Sequence, residues 1–221
     1  MGSIEELHLA SRFPLDRIEL CSSLEIGGTT PSQALVEEAV KMGLETHVLI
    51  RPRAGDFNYT DKEVSLMKRE ISTMLELGAK GVVFGLSTEE GVLDSNQELV
   101  DLANSLELEC TFHRAFDFIE DQRFALEMLV QMGFDRILMS GGVEDRAAAL
   151  NGCVKQAAGR IQVMVGGGVN SSNLGEFIDA GVDAVHFSGV HWGEDTLKGM
   201  GKEFSTDADK LESMFNVLKT V

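Results

Sequence analysis

The chain has 221 residues, and its 36 acidic against 19 basic side chains give a formal net charge of −17; such a surface repels a phosphate backbone and excludes nucleic acid as the expected partner. Hydrophobic residues make up 43% and charged residues 25%, the balance of a folded domain, and no run is apolar long enough to span a bilayer. One domain over residues 1–221, with no membrane partner, is therefore expected. The start MGSIEELHLASRF has no basic segment followed by an apolar one, so no secretion signal is read. Three scattered cysteines, Cys21, Cys110 and Cys153, without a C-x-x-C pair, point to a reducing, cytoplasmic setting.

In chain order, IEELHLASRFPLD reads as a short helix and a turn, followed by the β-rich run RIELC from Arg17. Thr30-Pro31-Ser32-Gln33 then reads as a capping box with proline at the first helical position, leading into a helix that stops at Gly43 before THVLI. Thr60 to Glu63 opens a helix ending at Gly78 before GVVFG, and Ser95 to Glu98 opens another before CTFHRAF. The next two helices end at Gly133 and Gly181, feeding RILMSG and AVHFSG, with IQVMVGG between them. Strands recurring at the length of a βα unit indicate a parallel sheet, either doubly wound or a (β/α) barrel. The first βα turn, LCSSLEIGGTTPS, is not a G-x-G-x-x-G loop, which favours the barrel, although seven strands are read where eight are needed.

Both architectures collect ligands at the carboxyl ends of the strands. Alternation places Glu19 with Cys21, Arg51 with Arg53, His113 with Asp117, Leu138 with Ser140, and His186 with Ser188 on the inner face. Arg51 and Arg53 suit a carboxylate or phosphate, and could equally form internal salt bridges with Glu19 or Asp117. The segment VGGGVNSSN offers Gly166 to Gly168 as an anion-binding turn, with Asn170 and Ser171 or Ser172 as helix caps; a turn needing positive φ explains the glycines as well. Cys21, His113 and His186 are donors suited to copper(I) or zinc, and His191 reads as a surface or lid residue.

DRIELCSSLEIGGTTPS, VLIRPRAGDFNYTDKE, FHRAFD, RILMSGG, VMVGGGVNSSN and VHFSG together closely resemble the CutC family of copper homeostasis proteins. The resemblance implies a cytoplasmic TIM-like barrel, homo-oligomeric and copper-binding. It matches the family's inner polar set to Glu19, Cys21, Arg51, Arg53, His113, Arg114, Asp117, Ser140 and His186. Family members usually begin with a strand of the type L-E-V-C, which is missing here; that accounts for the count of seven and leaves Cys21 without its companion cysteine. Exposed sheet edges, with lower stability or a covering partner, are the expected consequence.

Two functions follow as expectations. In one, the protein binds copper(I) through Cys21 with His113 or His186. In the other, it is an enzyme acting on a small anionic molecule, with Arg51, Arg53, Arg114, Ser140, Gly167 and Gly168 binding the anion and Glu19, His113 and Asp117 as acid–base groups.

Overall fold

The computed structural model describes residues 1–142, 144–193 and 204–219. Seven parallel strands form one curled sheet: β1 (Ile18–Leu20), β2 (Thr46–Leu49), β3 (Gly81–Phe84), β4 (Glu109–Phe112), β5 (Arg136–Met139), β6 (Gln162–Val165) and β7 (Ala184–Val185), each bonded to the next. Among the described residues no ladder joins β7 to β1, so the sheet is a half-barrel. β2, β3 and β5 are buried at every position, as strands covered on both faces must be.

Seven helices alternate with or flank these strands: α1 (Ile4–Ala10), α2 (Gln33–Lys41), α3 (Asp61–Glu76), α4 (Asn96–Ser105), α5 (Gln122–Met132), α6 (Arg146–Ala157) and α7 (Leu174–Asp179). An antiparallel hairpin, β8 (Val190–Trp192) with β9 (Phe204–Thr206), and helix α8 (Ala208–Leu218) follow. Exposed His191 lies on β8. The four expected glycine stops, Gly43, Gly78, Gly133 and Gly181, all have positive φ, the left-handed conformation that ends a helix without a Cβ penalty. Two of these stops carry an aspartate two residues on. Asp135 accepts the Cys110 N–H and Asp183 the Val163 N–H, both at 2.7 Å, which pins each new strand to its predecessor.

The caps are less regular than the sequence suggests. Thr60 and Glu63 do form the reciprocal capping box. Ser32 rather than Thr30 caps α2, because the Thr30 hydroxyl is occupied by Arg51 N–H and Glu70. Ser95 makes no capping bond; Asn96 instead bonds both backbone groups of Leu86 from a fully buried position. Asn173, not Asn170 or the serines, stands at the start of α7, and its side chain makes no capping bond.

The two ends of the sheet are bridged by other elements. Met1 lies beside β1: its amine donates to the Glu19 carbonyl and its carbonyl accepts from Cys21 N–H, both at 2.8 Å, the pattern of a one-residue parallel pairing. Phe215 of α8 stacks on Phe13, between α1 and β1, at 5.4 Å and meets Phe187, beyond β7, at 6.4 Å. This helix thus ties the first and last strands together through aromatic packing.

Candidate functional site

The inner face of the half-barrel encloses a cavity of about 1010 Å³ that runs from the amino-terminal to the carboxyl ends of the strands. Its waist is apolar, formed by Leu49, Val83, Leu138 and Met164 on β2, β3, β5 and β6. Polar side chains gather at both ends.

At the carboxyl end, Arg51 is only 6% exposed. Nη1 donates to the carbonyls of Ile26 (3.0 Å) and Gly28 (2.7 Å), and Nη2 to that of Gly55 (2.9 Å), so the side chain holds together the loops after β1 and β2. Its Nε has no hydrogen-bond partner among the described residues. Gly28 can meet this arrangement because its φ is +88° and a Cβ there would lie 2.8 Å from Leu49. Phe57 packs under the guanidinium at 5.1 Å and against the His113 ring at 4.7 Å. Beside them lies the buried Tyr59 hydroxyl, its pKa raised by burial against the opposing charge and side-chain hydrogen bond of Arg51.

His113 stands just after β4, where the chain leaves the strand for a 3-10 turn over Arg114–Phe118. Nδ1 accepts the Ala115 N–H at 3.2 Å, which puts the ring proton on Nε2. That Nε2 is buried and unpartnered among the described residues. Burial, reinforced by the Arg51 charge, pushes the histidine down to about 3, so the ring is neutral and presents an N–H donor.

The 3-10 turn corrects the expectation that Asp117 shares the inner face with His113, because strand alternation ends at Phe112. Asp117 accepts the Ser140 N–H and pairs with Arg114 Nε, both at 2.7 Å, and it does not line the cavity. Ser140 is likewise outside: its hydroxyl accepts from Gly142 N–H and its carbonyl from Arg146. Arg114 reaches the rim, where it lies against Gly167. Gly167 and Gly168, with φ of +80° and +70°, line the cavity, but the six-residue α7 begins only at Leu174.

Arg53 corrects the expected arginine clamp. It turns into its own loop, bonded to Asp56 (2.9 Å) and Glu63 (2.6 Å) over the Tyr59 ring, because β2 ends at Leu49 and alternation does not carry past Pro52. Glu19 does face inward, 3.8 Å from His186 Nδ1. Cys21 is buried at the same end, and burial raises its thiol above the ordinary range. Cys21, His113 and His186 all line the cavity, yet no three His, Cys, Asp or Glu side chains among the described residues are placed to hold a metal ion.

The amino-terminal end holds groups that the sequence analysis missed. Arg136, 2% exposed, donates to Gln162 (2.9 Å), the Thr111 hydroxyl (3.0 Å) and Glu109 Oε2 (3.0 Å). His47 Nε2 and Arg17 Nη1 each lie 3.7 Å from the same Glu109 oxygen. Burial and the Arg136 charge push His47 down to about 4. The alternation that placed Arg51, His113 and Ser140 inward would have found His47, Thr111 and Arg136 if carried four, two and four residues upstream.

The profile of the CutC family matches residues 1–191. A CutC family protein of Vibrio cholerae is 43% identical over 199 residues, covering 85% of this chain and 77% of that protein. The Homo sapiens copper homeostasis protein cutC homolog is 42% identical over 197 residues, covering 85% and 71%. The crystal structure of CutC from Streptococcus agalactiae superposes with a TM-score of 0.75 at 31% identity, over 84% of this chain and 94% of that one. With its half-barrel fold and these relatives, the chain belongs to the CutC family, whose named members include copper homeostasis proteins.

Proposed function

We propose that this chain serves copper homeostasis in the cytoplasm by binding a small anionic molecule at the carboxyl end of the half-barrel. The observation that carries the reading is the unpaired donor set there. Arg51 directs hydrogen bonds to three carbonyls, no carboxylate stands within ion-pair distance of it among the described residues, and the buried Nε2–H of His113 is left without an acceptor among them. A buried guanidinium beside neutral donors attracts an anion and repels a metal cation. Arg114, Gly167 and Gly168 at the rim extend the donor surface, and Glu19 beside His186 supplies the acid–base pair an enzyme would use. The three free cysteines support a reducing compartment.

Calorimetric titration with inorganic phosphate tests this. His113→Phe, which keeps the ring and removes the donor, should weaken phosphate on the order of tenfold, while His113→Gln should retain it. Equal affinity in all three proteins would overturn the reading. Direct copper(I) binding is the second reading, favoured by a cavity-facing thiol at Cys21. Competition against a calibrated copper(I) chelator decides it: one tight equivalent lost in Cys21→Ser would place the function at the metal. The edge of β7, which pairs with no further strand among the described residues, supports a homo-oligomer, which sedimentation would reveal.

A further inference from the structure

The five buried side-chain polar atoms that lack a hydrogen-bond partner among the described residues fall into two groups. Arg51 Nε, Tyr59 Oη and His113 Nε2 are at the carboxyl end, where the Arg51 and Tyr59 side chains engage one another, and Arg17 Nη1 and His47 Nε2 are at the amino-terminal end. Native interiors rarely leave such groups unpaired, since each costs on the order of 1–3 kcal/mol. In a barrel the amino-terminal end ordinarily serves stability, and the Arg136 network fits that role: Gln162, Thr111 and Glu109 satisfy it. It does not account for Arg17 and His47. Glu109 Oε2 is committed to Arg136 at 3.0 Å, and 3.7 Å leaves both other groups beyond hydrogen-bond reach of it. Asp183, another carboxylate at this end, is held by Val163 N–H. Two arginines and a neutral histidine thus surround the Glu109 carboxylate, with Asp16 and Asp183 lining the same end, and Arg17 Nη1 and His47 Nε2 come no closer than 3.7 Å to Glu109.

We propose that the amino-terminal end is a second anion subsite, and that the cavity takes an elongated molecule with an acidic group at each end and an apolar centre. His47 is 2% exposed and borders the cavity, and its Nε2, 3.7 Å from Glu109, has no hydrogen-bond partner among the described residues. Arg17, at 28% side-chain exposure, supplies a cation that can turn toward it. Between the two ends lies the waist of Leu49, Val83, Leu138 and Met164, which offers no hydrogen bond and favours methylene groups. His47 and Arg51 are four residues apart along β2 and its continuation, a separation of about 13 Å at the rise of a strand. A small inorganic anion cannot reach both ends; a long dianion can. The upper end rests on the reading above, and the lower end stands on Arg17 and His47 alone.

The test is calorimetric titration of the full chain with α,ω-dicarboxylates from butanedioate to dodecanedioate, and with monocarboxylates of equal length. The expected result is an optimum chain length at which the dicarboxylate binds on the order of tenfold more tightly than its monocarboxylate. That advantage should vanish in Arg17→Gln, a change at a partly exposed position whose folding is checked by thermal melting, while monocarboxylate binding in this variant stays as in the parent. Mono- and dicarboxylates binding alike, or a dicarboxylate advantage indifferent to Arg17, would overturn the second subsite and leave the upper one intact. Binding that ignores His113→Phe as well would remove the upper site and this proposal together.

Discussion

Two buried histidines give the protein a specific sensitivity to acid. His113 and His47 titrate in the folded chain at about 3 and about 4, against an ordinary 6.5, because burial and a neighbouring arginine, Arg51 for the first and Arg136 for the second, both disfavour the imidazolium. The unfolded chain takes up these protons first. The stability they contribute is therefore fully present above the unfolded value and is lost as pH falls from there toward the folded values. At about pH 5 the unfolded-state proton uptake amounts to about 2 kcal/mol for each histidine, or about 4 kcal/mol together. That is a large share of the roughly 5–15 kcal/mol of a typical domain. The carboxylate beside His47 does not confuse the measurement: burial opposes ionisation of Glu109, but the Arg136 hydrogen bond and charge outweigh it, so its loss comes at lower pH. Urea unfolding followed by circular dichroism at about pH 7.5 and about pH 5 should show the full loss in the parent and about half of it in His113→Phe. A variant as acid-sensitive as the parent would mean that His113 is not held neutral in the folded state.

Three further outcomes follow from the geometry. Arg136→Met should cost about 2–4 kcal/mol in urea unfolding, because it cuts the tie between β4, β5 and β6 and strands the buried Thr111 hydroxyl; a loss under about 1 kcal/mol would count against that brace. Asp117→Ala should lower stability by about 1–3 kcal/mol through the freed Ser140 N–H and Arg114; a loss under about 0.5 kcal/mol would show that Asp117 does not tie β5 to the turn after β4. Thr60→Ala should cost about 1 kcal/mol by opening the capping box of α3, and an unchanged melting temperature would show that the cap contributes nothing.

Local chemistry made much of the fold readable. Short β-rich runs, glycine stops and hydroxyl caps each depend on a few adjacent residues, so seven strands, their parallel order and the helix ends at Gly43, Gly78, Gly133 and Gly181 are all legible in the chain. Strand alternation is local too, and within β1 and at the ends of β2 and β4 it correctly turned Glu19, Arg51 and His113 inward. It held for one or two residues past β2 and β4 and failed farther on. Arg53 and Asp117 lie in a loop and a 3-10 turn, where successive side chains no longer oppose one another, and each found a partner nearby.

What the sequence by itself determined, then, is the βα repeat, the family and the set of polar residues available to a site. The tertiary structure alone decided which of them remain available. Whether an arginine meets a ligand or a carbonyl depends on where distant loops pass, as Ile26, Gly28 and Gly55 do around Arg51. Whether a histidine is charged depends on burial and on cations from other strands, as at His47 and His113. The second polar end of the cavity arises in the same way, because Arg17, His47 and Arg136 are far apart in the chain and converge only when the curled sheet brings their strand ends around one carboxylate.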